Sequence, residues 1–213
     1  MTNASTAKIV REPRWPAFVA MFAAACLYWA LPEQLSVGPG WGLLVAVFLL
    51  LIPMAISTRQ GAYRVTRALA FVANGVITAA MIASLSFLIE GLPKHRDPPQ
   101  ILLRSAVALW LTNVLVFALW YWKLDAGGPL GRDQSSGRLD SSFLFPQMLM
   151  PGGDPFWTPH FVDYLFLAFN TSTAFSPTDT APLSTWAKAG MMLQSLISLT
   201  VIALIAARAV NIL

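Results

Sequence analysis

The chain has 213 residues, 56% of them hydrophobic and 11% charged, with a net charge of +4. So apolar a sequence cannot keep its hydrophobic runs dry in water, which excludes a soluble globular protein and predicts an integral membrane protein. One cysteine, Cys26, excludes an internal disulfide and a thiolate metal cluster, and no cofactor is expected. The basic residues stand in pairs and triplets between apolar runs, which is membrane topology and not a nucleic-acid surface.

Residues 1–14 read as a polar N-terminal tail carrying Lys8, Arg11 and Arg14. A signal peptide also begins this way, and Ala23-Ala24-Ala25-Cys26 resembles a lipoprotein cleavage box. The apolar run continues through Leu27-Tyr28-Trp29, however, and further spans follow, so the run reads as a first anchor. It covers about 15–32 and begins a three-helix membrane bundle over 15–92. The second span covers about 41–57, kinked at Pro53 unless neighbouring helices repair the backbone, and the linker after it carries Arg59, Arg64 and Arg67. A third span, about 67–91, offers Ala73, Gly75, Ala79, Ala80, Ala83 and Ser84 for close helix contact.

Residues 101–213 form the second part of the chain, opening with an outer helix at 101–122. Trp120-Tyr121-Trp122 at its end predicts an interfacial aromatic belt where the helix leaves the bilayer. Asn74 and Asn113 are amides inside apolar helices, serving either hydrogen bonds between helices or a water-filled path. The linker 123–160 is the longest polar stretch and is expected to be mobile in its first half. Its Phe143, Phe145, Phe156 and Trp157 would fold it back onto the membrane face.

The apolar run that follows, at 164–169, is too short to cross a bilayer, which needs roughly 20 helical residues. Pro177 and Pro182 then forbid regular helix, and from Ser184, an N-cap residue, a long apolar helix runs to about 211. Half-helix, polar turn and full helix predict a re-entrant loop over 161–182 and an inner helix over 184–211. Non-helical backbone at membrane depth survives only where protein or a watery cavity satisfies it. The fold expected is therefore all-α: a polytopic membrane helix bundle of about five full spans plus one re-entrant pore-type half-helix. If 161–175 crosses fully instead, there are six spans.

From 164 to about 208 the chain resembles, without a gap, the pore module of the two-helix potassium-channel superfamily. Tyr164, Phe169, Thr171 and Thr173 match its pore helix, Asp179 and Pro182 the residues after its filter, and Gln194, Ala207 and Arg208 its inner helix. Where that family has Thr-Val-Gly-Tyr-Gly-Asp, this chain has Ala174-Phe175-Ser176-Pro177-Thr178-Asp179. The whole chain resembles uncharacterised bacterial integral membrane proteins of the domain-of-unknown-function type, with the same degenerate pore loop. That resemblance implies a bacterial inner (plasma) membrane location, a homotetramer in the bilayer, and monovalent cations as partners.

Glycines allow the backbone angles a carbonyl filter needs, and here Ser176 and Thr178 replace them around Pro177. A side-chain-lined constriction of Thr173, Ser176, Thr178 and Asp179 is expected in place of a carbonyl ladder, or else a plug that no longer conducts. Ala187, Gly190, Gln194 and Ser198 share one face of the inner helix and either line a central cavity or admit a close neighbouring helix. Asp163 reads as a helix cap, and His95 and His160 lack the further ligands a metal needs. No phosphate loop, nucleophile elbow or H-E-x-x-H motif is present, so no enzyme is expected.

Lys and Arg counts place the N-terminus and the arginines at 59–67 in the cytoplasm, which turns the loop to the cytoplasmic side. Potassium channels have the opposite arrangement, whereas ionotropic glutamate receptors have a pore loop entering from the cytoplasm. The functional expectation is a weakly selective cation channel with a non-potassium-type filter. The alternatives are a non-conducting scaffold that keeps the pore-loop fold and a small-solute transporter.

Overall fold

The computed structural model describes residues 12–91, 98–134, 140–151, 157–173 and 179–210. Seven helices are described: α1 (Trp15–Trp29), α2 (Gly40–Arg59), α3 (Tyr63–Gly91), α4 (Pro99–Leu124), α5 (Gly128–Gln134), α6 (Phe161–Thr173) and α7 (Thr185–Val210). Two short strands, β1 (Phe143–Leu144) and β2 (Ala181–Pro182), pair antiparallel with Phe143 opposite Pro182. This small sheet is the one departure from an all-helical chain among the described residues.

Four helices, α2, α3, α4 and α7, are long and apolar enough to cross a membrane, and the chain is an integral membrane protein. α1 is shorter than the expected first span: its 15 residues reach about 22 Å, against roughly 30 Å of hydrocarbon. It stops because the chain turns at Ala30 and Leu31, and a 3-10 turn at Glu33–Leu35 follows Pro32. Tyr28 pins this turn by accepting a hydrogen bond from the Val37 amide at 2.6 Å. α2, by contrast, continues from Gly40 to Arg59 as one helix with Pro53 inside it.

The bundle is arranged around α4, which touches α1 and α3 on one side and α6 and α7 on the other. Of the apolar window of α4, 61% is buried, against 17% for α2 and for α7, so α4 is the axis and those two lie outside. The faces that meet are small: Ala17, Ala20, Ala24 and Ala25 on α1, Ala73 and Ser84 on α3, Ala106 and Ala118 on α4. Lipid is as apolar as these side chains, so close packing rather than flight from water joins such helices.

One end of the bundle collects most of the polar structure. The Arg14 side chain before α1 lies 5.7 Å over the Tyr63 ring at the start of α3, and its guanidinium pairs with Asp133 of α5 at 3.2 Å. The Trp122 ring near the end of α4 meets Phe161 at the start of α6 edge-on at 5.8 Å. The Trp186 indole at the start of α7 donates to Ser142 Oγ beside β1 at 3.0 Å.

The described parts of the linker, whose first half is expected to be mobile, are packed against the bundle. α5 occupies 128–134, and Phe143 is buried against the rings of Tyr121, Tyr164 and Trp186. Phe145 and Trp157 stack at 5.8 Å as the folding-back of the linker requires, and Phe156 lies outside the described residues. The aromatic belt expected at 120–122 is not one. Tyr121 and Trp122 are buried, and each hydrogen-bonds inside the protein, because α4 is surrounded by helices at this level.

Candidate functional site

The site is the segment 161–182 and its seat between α4 and α7. α6 has 13 residues, too few to span. Its start is fixed by Asp163, whose Oδ2 accepts the His160 backbone N–H at 2.7 Å, half of a capping box. At the far side of the loop Ser184 caps α7, its Oγ accepting from the Ala187 amide at 3.3 Å.

A second anchor at the start of α6 is the buried Asp125 just beyond α4. Its Oδ2 accepts the Tyr164 hydroxyl at 2.6 Å and the Ser141 hydroxyl at 2.7 Å, and its Oδ1 accepts the Ser142 amide at 2.5 Å. One carboxylate thereby ties α4, α6 and β1 together. Charge-assisted bonds of this kind are about twice as strong as neutral ones.

The distal half of α6 is held by α7. Gln194, fully buried, donates from Nε2 to the Ala168 carbonyl and to Ser172 Oγ, both at 2.7 Å, and its Oε1 accepts the Tyr121 hydroxyl at 2.7 Å. Ser195 Oγ donates to the Thr171 carbonyl at 3.2 Å. Asn113 of α4 donates from Nδ2 to Ser198 Oγ at 2.8 Å and to the Gln194 carbonyl at 3.2 Å. The last carbonyls of a helix lack intrahelical donors, and here α7 supplies side chains to that end. Gly190 makes room for the hub, since a Cβ there would come within 3.3 Å of the Tyr121 ring.

This placement bears on the expected pore face. Ala187, Gln194 and Ser198 are buried against α4 and α6 of their own chain, so the neighbour they admit is internal. The outward face of α7 is instead Met192, Leu193, Leu196 and Leu199.

Of the filter-like turn, Thr173 ends α6 with its hydroxyl on the Asn170 carbonyl at 2.9 Å, and Asp179 is exposed. Ala174, Phe175, Ser176, Pro177 and Thr178 lie outside the described residues, as does His95. Among the residues that carry the resemblance, Tyr164 and Thr171 are buried in the seat of α6, Phe169 is exposed beside Trp110, and Pro182 is in β2. Comparison with family models, curated proteins and solved structures gives no match.

A cluster that the sequence did not announce closes the same end of the bundle. Arg132 and Glu12 form an ion pair at 2.9 Å with side chains only 1% and 4% exposed. Glu12 Oε1 also accepts the Trp122 indole at 2.5 Å, while Arg132 donates to the Trp122 and Asp125 carbonyls at 3.0 and 3.1 Å and lies 5.1 Å over the Tyr164 ring. The pair joins residues 120 positions apart, which no local pattern encodes.

Proposed function

We propose that this membrane protein is a homo-oligomeric, channel-like pore-loop protein in which 161–182 enters and leaves the bundle at one end and admits cations with weak selectivity. The observation that carries the reading is where the two ends of this segment are tied. Phe161 packs on Trp122, and 20 residues later Ala181–Pro182 pairs with β1, which itself packs on Tyr164 at the start of α6. Between them Ser172 reaches Gln194, well inside α7.

Such a segment inside the hydrocarbon requires protein or water around it. The C-terminal end of α6 carries the negative end of the helix dipole, and Asp179 adds a carboxylate near the mouth. Both favour cations, and a ring of such carboxylates around an axis is a cation-selective device. Because Gln194 and Ser198 are occupied within the chain, the path belongs to the turn 173–179, and the apolar outer face of α7 serves contacts between copies. Arg14, Arg59, Arg64, Arg67, Lys123, Arg132 and Lys188 gather at the end where the loop opens, against Arg104 near the start of α4 at the other, which supports placing the loop's end and the N-terminus in the cytoplasm.

One observation favours a second reading, a non-conducting scaffold: Gln194 and Ser198, the polar side chains of the inward face of α7, are buried and hydrogen-bonded within the chain. Purified protein in liposomes separates the two. Weakly selective cation flux, reduced by Asp179→Asn, and a mass of several copies support the channel. A strict monomer in nanodiscs, or no flux at any voltage or pH, establishes the scaffold.

A further inference from the structure

A pocket of about 60 Å³ lies at the same end of the bundle but away from α6 and α7, between α1, the α2–α3 turn, the end of α4 and the bend into α5. Its charged lining residues are Arg14, Arg67 and Lys123, and no Asp or Glu lines it. Lys123 is the unusual member. Its side chain lies 4% exposed within the protein, donates to the Ala70 carbonyl at 2.6 Å, and has no carboxylate within 4.0 Å among the described residues. An ammonium has three donors, and burying one with a single backbone acceptor and no counter-ion is costly. Arg14 is balanced by Asp133, whereas among the described residues Arg67 has no carboxylate partner and meets the Phe71 ring 5.7 Å away.

The site is shaped for this purpose by backbone. Gly127 and Gly128 take φ +76 and +78, and a Cβ on Gly128 would meet the Lys123 carbonyl at 2.8 Å, so the chain can bend sharply enough to lay Pro129 and Leu130 against the pocket. The remaining walls are apolar, among them Phe18, Met21, Met54 and Phe71. The Arg67 guanidinium and the Lys123 donors beside apolar walls, at the level where the arginine-rich turn leaves the bilayer, are complementary to an anionic headgroup with its chains attached.

We propose that this pocket binds the phosphate of an anionic phospholipid, with Lys123 and Arg67 as its cationic ligands and the apolar walls receiving the first part of the acyl chains. Free phosphate shares the charge but not the chains. The proposal is independent of conduction and of the number of copies.

The test uses the full chain in detergent, with thermal unfolding and native mass spectrometry as readouts. Added phosphatidylglycerol is expected to raise the unfolding temperature and to be retained as bound lipid, whereas phosphatidylcholine and inorganic phosphate are not. Arg67 is exposed, so Arg67→Gln tests the site without endangering the fold, and it is expected to weaken phosphatidylglycerol binding about tenfold, the usual effect of one charge-assisted bond. Lys123→Met removes the buried amine while keeping length, and is expected to abolish the preference for anionic over zwitterionic lipid. Equal stabilisation by phosphatidylcholine, or an undiminished preference in Arg67→Gln, overturns the proposal. Stabilisation by inorganic phosphate equal to that by the lipid overturns the lipid assignment.

Discussion

Gln194 and Asn74 are both buried amides in apolar helices, and their surroundings assign them opposite roles. Gln194 uses its oxygen once and its nitrogen twice, each time at 2.7 Å. Gln194→Leu would leave the Tyr121 hydroxyl and the Ser172 hydroxyl without that partner in a dry interior. Each orphaned group costs about 1–3 kcal/mol, while side-chain hydrogen bonds between membrane helices average about 0.6 kcal/mol. The expected loss is therefore about 2 kcal/mol, measured by reversible unfolding in detergent or bicelles, and a neutral result would show that the hub holds nothing. Asn74 is also fully buried, yet neither amide atom has a hydrogen-bond partner among the described residues. Asn74→Leu should thus be neutral or stabilising by about 1 kcal/mol in the same assay, since an unsatisfied polar group is removed. A loss instead would reveal a bound water or a partner from another copy at this position. From the sequence the two alternatives for Asn74 and Asn113 could not be separated, because each depends on what stands opposite. Asn113 faces Ser198, 85 residues away.

At the level of elements, the short helix was legible because its signals are local. The length of the apolar run at 164–169, Asp163 at its start, the prolines beyond it and Ser184 before the next helix all lie within a few residues of what they control. The structure has α6 at Phe161–Thr173 and α7 from Thr185, with both caps formed. What stayed hidden depended on distant partners: the β1–β2 pair, the helix at 128–134, and the inward turn of Tyr121 and Trp122. A Trp-Tyr-Trp run reads as lipid-facing unless one knows that α1, α3, α5, α6 and α7 all pack on α4. The proposed re-entrance gives a direct test. Single cysteines at His160 and Ala181, both exposed, flank the segment, and Cys26→Ser provides the background. Both are expected to react with an impermeant thiol reagent from the same side, in inverted vesicles and not in intact cells. Labelling of the two from opposite sides would mean that 161–182 crosses the membrane.

Over the whole molecule, the first described residues are drawn by charge to the bend after α4, at one end of the bundle. Residues 1–14 read as a tail, yet within them Glu12 is buried, accepting from Arg132 at 2.9 Å and from Trp122, while Arg14 reaches Asp133. Thus the segment ahead of α1 is fastened to the bend after α4, and through Asp125 and Tyr164 to the start of α6. A buried pair of this kind adds little net stability over an apolar pair of equal volume, but removing one partner leaves a charge stranded, typically at about 3–5 kcal/mol. Arg132→Met should therefore destabilise strongly, because Glu12 keeps its charge, retaining the Trp122 indole and its own amide contact to Asp133 but no cation. Adding Glu12→Gln to that variant should restore a large part of the loss, since the stranded charge is gone while the bond from Trp122 remains possible. The two substitutions are coupled only if the ion pair exists, so their double-mutant cycle measures it directly. Additive losses would show that Glu12 and Arg132 act separately, and that the N-terminal segment is not what fastens this end of the bundle.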